Sequence, residues 1–495
     1  MSDVLGLGNY NKSSVSTNKL FAAYANDIID VDTSNGYTQG LTTDQKGEFA
    51  TYLDYCFFVN GTDATRSFNG SSWSTSGVVN RCPIAKYIQV SGVYAYLGYV
   101  TINGEVYPSK VWKSGLPYSN APRWEIEWGT NLVQTASSAV ITSANAHFED
   151  YGIKAGDDFW ILDGDNTGQY IVYTVDSNTQ ITLTETLDSN DSSNSYIVGS
   201  NYIDVRTDDN DYIRGLGENS NRLLIFKLLS LHKYNGSSLV EVTGAPGTSS
   251  HRSIVNVGGY TLYFHGSEPK TTGIYLFNGL ESVKISKLIQ PYIDGISASM
   301  YPSIVGWQEG DWYRCYVGDI SNPQRNISVS KAVISYNVSS NKFSIDPINK
   351  TIKCSTKFLE DNQLKTFLGD DNGEVFYTPN GYNYDGDPIP WAMETGPIYP
   401  EGSEINLRFT RIQVIGRDAR SVRVRYKLYN SPLNIDTQWQ PLDDLENDKT
   451  ELRVPSNHRQ GCGINIRLED NSNRENSLSI EKITIFYEII SSRTK

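Results

Sequence analysis

The chain has 495 residues, a formal charge of −14 at pH 7, and 33 Tyr against only 3 Met. Its length suggests several domains, and its Tyr, Gly, Ser, Thr and Asn abundance with few helix-forming periodic stretches predicts an all-β protein of half-buried strands and tight turns. The acidic balance argues against gripping nucleic acid by its phosphates, and no apolar run reaches membrane-spanning length.

Residues 1–18, Gly/Ser/Asn-rich with little apolar content, predict a flexible or partner-docked arm. They contain no basic segment followed by an apolar one, so no secretory signal is expected and synthesis in a cytoplasm is. Residues 19–129 read as the first part of a β-propeller. FATYLDYCFFVNGTDATRSFNGSSWST gives strand, Asn-Gly turn, strand, Asn-Gly turn, and the Asn-Gly pairs supply the positive φ that tight hairpins need.

Residues 130–205 interrupt this rhythm with eleven Asp/Glu and a single basic residue, Lys154. Short alternating runs separated by Asp/Asn/Gly turns predict an inserted acidic β-barrel or sandwich. Whole-domain insertion at a surface loop is tolerated because closing a longer loop costs only logarithmically more. Its Asp163, Asp165 and Thr167 place alternate oxygens before Gly168, as at the start of a calcium loop. Thr174 stands where the bidentate Glu is expected, so a hydrogen-bonded Asx turn is the competing reading.

Residues 206–396 predict the second part of the propeller. Leu216 to Val283 supplies alternating apolar runs broken by Asn-Gly, Gly-Gly and Gly-Ser, and a short helix interrupted by Pro291 is expected at Ser286 to Ile296. The two parts together suffice for roughly six or seven blades. Prolines 388, 390, 397 and 400 mark a boundary, and residues 397–495 alternate cleanly as a C-terminal β-sandwich. There Arg408, Arg411, Arg417, Arg420, Arg423, Arg425 and Lys427 stand close in sequence with Asp418 as the only acid among them. They suggest a phosphate-facing or subunit-facing patch, with a solvated strand face as the alternative.

Catalytic motifs are missing: there is no GxSxG, GxxxxGK[ST], HExxH or Rossmann glycine pattern. The five cysteines are scattered without metal-ligand or disulfide spacing. The chain is therefore expected to be neither an enzyme nor a cofactor carrier.

The cadence CFFVNGTDATRSFNGSSW, NRLLIFKLLSLHKYNG and SIVNVGGYTLYFHG…GIYLFNG, followed by VRVRYKLYN…TQWQPL, resembles tailed-bacteriophage virion proteins. The similarity is to the β-propeller nozzle, or tail tubular protein B, and to the DNA-stabilisation proteins of short-tailed phages. It implies a structural virion protein of the phage tail, six copies forming a homo-oligomeric ring. Its partners would be the portal/adaptor, other tail proteins and tail fibres. The ring would retain the genome and pass double-stranded DNA at ejection without specific binding. The competing readings are a receptor- or glycan-binding propeller of the tail tip and a propeller glycoside hydrolase.

Overall fold

The computed structural model describes residues 2–492 except 13–16, 77, 78, 80, 81, 103, 116–121, 123, 125, 126, 151, 152, 200, 201, 326, 361, 379–382, 385, 386, 389, 390, 432, 433, 436, 437, 447, 448, 458 and 471–477. Seven antiparallel sheets succeed one another as the blades of a propeller. Blade one comprises Val4–Lys12, Thr17–Tyr24, Asp27–Asp30 and Asn35–Thr38, and blade two Glu48–Tyr52, Tyr55–Val59, Arg66–Phe68 and Trp73–Ser74. Blade three is built from Ile84–Ser91, Tyr94–Ile102, Glu105–Lys113 and, after a long excursion, Tyr202–Asp204. Blades four and five begin at Gly215–Asn219 and Val255–Val257, blade six at Val305–Glu309 and blade seven at Ile352–Glu360. The first strand of each blade is the inner one, and each inner strand neighbours the next until the seventh returns to the first.

The blades adhere mainly by apolar packing. Phe21 and Tyr10 of blade one meet Phe68 and Trp73 of blade two, Phe57 meets Leu97 and Trp112 of blade three, and Phe226 meets Tyr263 and Phe277 across blades four and five. Burying each such side chain contributes about 1.5–3 kcal/mol. Blades six and seven also join through hydrogen bonds, from Ser355 Oγ to Gly306 O and from Thr366 Oγ1 to Gln308 O, both 2.8 Å.

The turns explain the sequence cadence. Asn69, Asn235 and Asn278 each close the third-to-fourth strand connection of their blade. In each, the side-chain Oδ1 accepts the amide N–H groups two and three residues on, and the following glycine has a φ near +100° (Gly70 +102°, Gly236 +99°, Gly279 +93°). The amide side chain thus replaces a backbone acceptor while Gly carries the left-handed conformation.

Two local expectations need correction. Residues 4–12, expected within an arm, form the inner strand of blade one, with Val4, Leu7 and Tyr10 buried. Their glycines serve close approach. A Cβ on Gly6 would lie 2.3 Å from Gly47 O, and one on Gly8 would lie 2.2 Å from Phe49 Cβ. The helix at Ser286 is a 3₁₀ turn (Ser286–Ile289) leading into one α-turn (Gln290–Ile293). Pro291 stands in its first turn, where a missing N–H costs nothing, so it starts the turn rather than interrupting it.

The excursion in blade three is a closed six-stranded barrel in the order Glu127–Gln134, Val140–Ser143, Gln180–Leu183, Gly168–Ser177, Asp158–Ile161 and Asp191–Val198. Leu132, Ile141, Phe148, Phe159, Ile181 and Tyr196 fill it. The C-terminal unit is a β-sandwich. In one sheet Arg423–Ser431 pairs with Gly463–Asp470; in the other Ile405–Arg417 pairs with Ser479–Ser492. Leu407, Phe409, Ile412 and Val414 face Val424, Tyr426, Ile464 and Ile466 across its core.

Candidate functional site

All inner strands begin on one face, and six blades bring charged residues to their starts there. Blade one supplies Asp3, blade two Lys46 and Glu48, blade three Lys86, blade four Arg214, blade five His251 and Arg252, and blade seven Lys353. Arg252 is the hub. Its Nε donates to Glu48 Oε1 at 2.9 Å, Nη1 to Lys353 O at 2.7 Å, and Nη2 to Leu5 O at 2.6 Å and Gly47 O at 2.9 Å. One guanidinium thereby ties blade five to blades one, two and seven across the axis. Its side chain is 9% exposed. Burial lowers its pKa, but the charge of Glu48 and its hydrogen bond, together with Cys354 and Tyr87, leave it raised.

His251 reinforces the hub. Its Nδ1 accepts the Leu216 N–H at 3.3 Å, which leaves the proton on Nε2, 3.9 Å from Glu48 Oε2. Burial lowers the imidazole pKa against the pull of Glu48. Below the hub lies a cavity of about 230 Å³ to which all seven blades contribute, through Leu7, Glu48, Gln89, Leu216, Asn256, Trp307 and Ser355. Trp307 is 4% exposed, and its indole Nε1 has no hydrogen-bond partner among the described residues.

The outer rim is cationic. Lys353 pairs with Asp3 at 2.9 Å. Lys46 Nζ reaches Pro302 O and Ser303 Oγ, both at 3.2 Å, in the segment entering blade six. Lys86 Nζ lies 5.7 Å from the Tyr87 ring and 5.3 Å from the Tyr99 ring, and the Arg214 guanidinium lies 3.9 Å from the Tyr212 ring. Among the described residues, Lys46, Lys86 and Arg214 have no carboxylate at ion-pair distance. Lys46 is exposed as a residue, yet protein crowds its ammonium. Desolvation first, and Arg252 next, lower its pKa to about 8, with Lys353 and Lys86 adding to the effect. Desolvation and Arg214 lower that of Lys86.

Burial pushes the Cys315 and Cys354 thiols up to about 12 and raises Cys56 as well, away from the lowered values of reactive thiols.

The residues singled out in the sequence lie elsewhere. Asp163, Asp165 and Thr167 form a corner of the barrel: Asp163 Oδ1 accepts the Ser195 N–H at 2.7 Å, the Asp165 N–H donates to Asp191 Oδ2 at 3.1 Å, and Thr167 Oγ1 donates to Gly164 O at 2.7 Å. Among the described residues no group of three or more His, Cys, Asp or Glu gathers to hold a metal ion. Of the sandwich cations, Arg408 meets Glu488 at 3.3 Å, Arg411 meets Glu451, and Arg417 meets Glu481 at 3.6 Å. Arg423 reaches Asp444 at 3.5 Å and Arg425 reaches Glu469 at 2.7 Å, while the Lys427 ammonium lies 4.3 Å from the Trp439 ring. Arg420 is exposed, in the loop before this strand. Among the described residues, no helix is long and apolar enough to cross a membrane.

No family model matches the chain, and no curated protein matches its sequence. Solved structures with a related trace include the computationally designed Ika8 protein, at 10% identity and TM-score 0.33 over 76% of this chain and 96% of that one. A Trypanosoma rangeli sialidase mutant displaying trans-sialidase activity follows at 7% identity and TM-score 0.32, over 98% and 93%. The phage phi92 endosialidase gives 10% identity and TM-score 0.24, and the match covers 79% of this chain but about half of that one, 53%. Similarities this weak carry no functional argument.

Proposed function

We propose that this chain is a non-enzymatic structural protein of a phage tail, a nozzle or hub subunit whose copies assemble into a ring around the DNA path. The observation that carries the reading is how the propeller spends its chemistry. Arg252, Glu48 and His251 lock blades to one another across the axis, and the cavity beneath them holds only about 230 Å³. A duplex cannot thread such a propeller, so a DNA path requires several copies around a shared lumen. The resemblance in turn vocabulary to phage nozzle proteins supports the same reading. Portal/adaptor proteins and tail fibres are the partners it names. The test is antibody labelling of purified particles, with label expected at the tail. Particles free of the protein would overturn the proposal.

A glycan-binding tail-tip protein is the second reading. Exposed aromatics on the acidic barrel, Trp128 (41% exposed) and Tyr173 (63%), favour it. A glycan array discriminates: selective retention supports this reading, and uniform lack of retention removes it.

A further inference from the structure

We infer that the cationic rim at the start of the inner strands is a binding site for a multivalent oxyanion of the phosphate class, seated on Arg214, Lys86 and Lys46. The inference stands on geometry independent of the tail reading. Five cations (Lys46, Lys86, Arg214, Arg252, Lys353) and two carboxylates (Glu48, Asp3) stand at the starts of inner strands of six blades, and Lys86 and Arg214 lie against the Tyr99 and Tyr212 rings, whose centroids are 5.9 Å apart. Glu48 is engaged with Arg252 at 2.9 Å and Asp3 with Lys353 at 2.9 Å. Three cations remain without a carboxylate partner among the described residues, in a chain of net charge −14.

Like charges held together by a rigid scaffold repel one another, and the fold tolerates the arrangement at a cost. Desolvation first, and the neighbouring cations after it, lower the pKa values of Lys46 and Lys86, with Glu48 pulling Lys46 the other way. An anion bound among them would relieve the repulsion. Arg214 adds a second sign: its Nε is buried without a hydrogen-bond partner while its plane lies over Tyr212. A guanidinium fixed against a ring presents its fork in one orientation, which suits bidentate contact to phosphate oxygens. Lys86 and Lys46 supply point charges beside it. A monocarboxylate would compensate only one of the three, so the arrangement selects a group carrying two or more charges.

The phosphate could be free or part of a phosphodiester, and two probes separate the sources. Calorimetric titration of the full chain with pyrophosphate should give saturable binding that weakens with added salt. A single-stranded oligonucleotide binding more tightly than pyrophosphate would assign a phosphodiester, and the reverse a free phosphate compound. Arg214→Gln and Lys86→Gln should each weaken pyrophosphate binding about tenfold, the scale of one charge-assisted hydrogen bond. Arg425→Gln in the sandwich should leave it unchanged. Lys46→Gln, a change at an exposed position, keeps the test decisive if Arg214→Gln fails to fold. The inference is overturned if pyrophosphate and the oligonucleotide both fail to bind at millimolar concentration. It is also overturned if acetate competes as well as pyrophosphate, or if binding persists unchanged in the rim variants.

Discussion

Arg252 of the propeller and the arginines of the C-terminal sandwich use the same side chain in opposite ways. In the sandwich, Arg408, Arg411 and Arg417 project from a strand of one sheet and Arg423 and Arg425 from a strand of the other, and each meets an acid at the surface. Their side chains are 34–75% exposed, Arg425 least and Arg417 most. Such pairs face water and are each worth roughly 0–1 kcal/mol. Arg252 is 9% exposed and spends its donors on one carboxylate and three carbonyls from three other blades. The contrast teaches that density of charge along a sequence says little about its structural weight. What counts is how many separate elements one charge holds, and how far from water.

The largest expected effect comes from removing the hub. Arg252→Met strands Glu48 and three inward carbonyls, and should cost about 3–5 kcal/mol, the scale of a broken buried pair. Urea unfolding followed by tyrosine and tryptophan fluorescence would register it, with the propeller transition shifting and the sandwich transition staying in place. Equal shifts of both would break the distinction.

Acid comes next. His265 is 1% exposed, and burial lowers its pKa to about 4 from an ordinary 6.5. A folded-state pKa below the unfolded value means that the unfolded chain binds the proton more readily. The stabilisation is therefore complete above pH 6.5 and is lost as pH falls through 4, by about 3 kcal/mol. His232 and His251 are also lowered by burial and act in the same direction. Thermal melts between pH 7.5 and 4 should show the propeller transition falling, and His265→Gln should flatten that dependence. A slope unchanged in the variant would assign the acid sensitivity to other groups.

Gly8→Ala is expected to cost about 1–3 kcal/mol by overpacking, because the new Cβ would lie 2.2 Å from Phe49 Cβ. The smallest effect belongs to the sandwich: Arg425→Met should change stability by less than about 1 kcal/mol, read from the same urea curves.

The fold was legible wherever local chemistry dictates geometry. Asn69-Gly70, Asn235-Gly236 and Asn278-Gly279 announce their turns because side chain and backbone close the loop within four residues. The barrel stood out through its run of acids, and the sandwich through strict alternation, with Val424 and Tyr426 inward and Arg423 and Arg425 outward. Residues 4–12 misled because Gly6 and Gly8 read as flexibility, whereas they permit contact with a strand more than forty residues on. The rim was invisible for a related reason. Lys46, Lys86, Arg214, Arg252 and Lys353 are separated by whole blades and meet only when the ring closes. The sandwich arginines drew attention because they are close in sequence, but they lie on strands of two different sheets, and setting alternate residues on a strand's outer face does not make that face a site.

On the proposed nozzle role, copies of the closed propeller, rather than its own axis, surround the DNA path. Electron microscopy of the purified full chain tests it most directly. Rings of several copies around a lumen wide enough for a duplex are expected, and a monomer that stays monomeric at every concentration and in the presence of tail components would rule the nozzle role out.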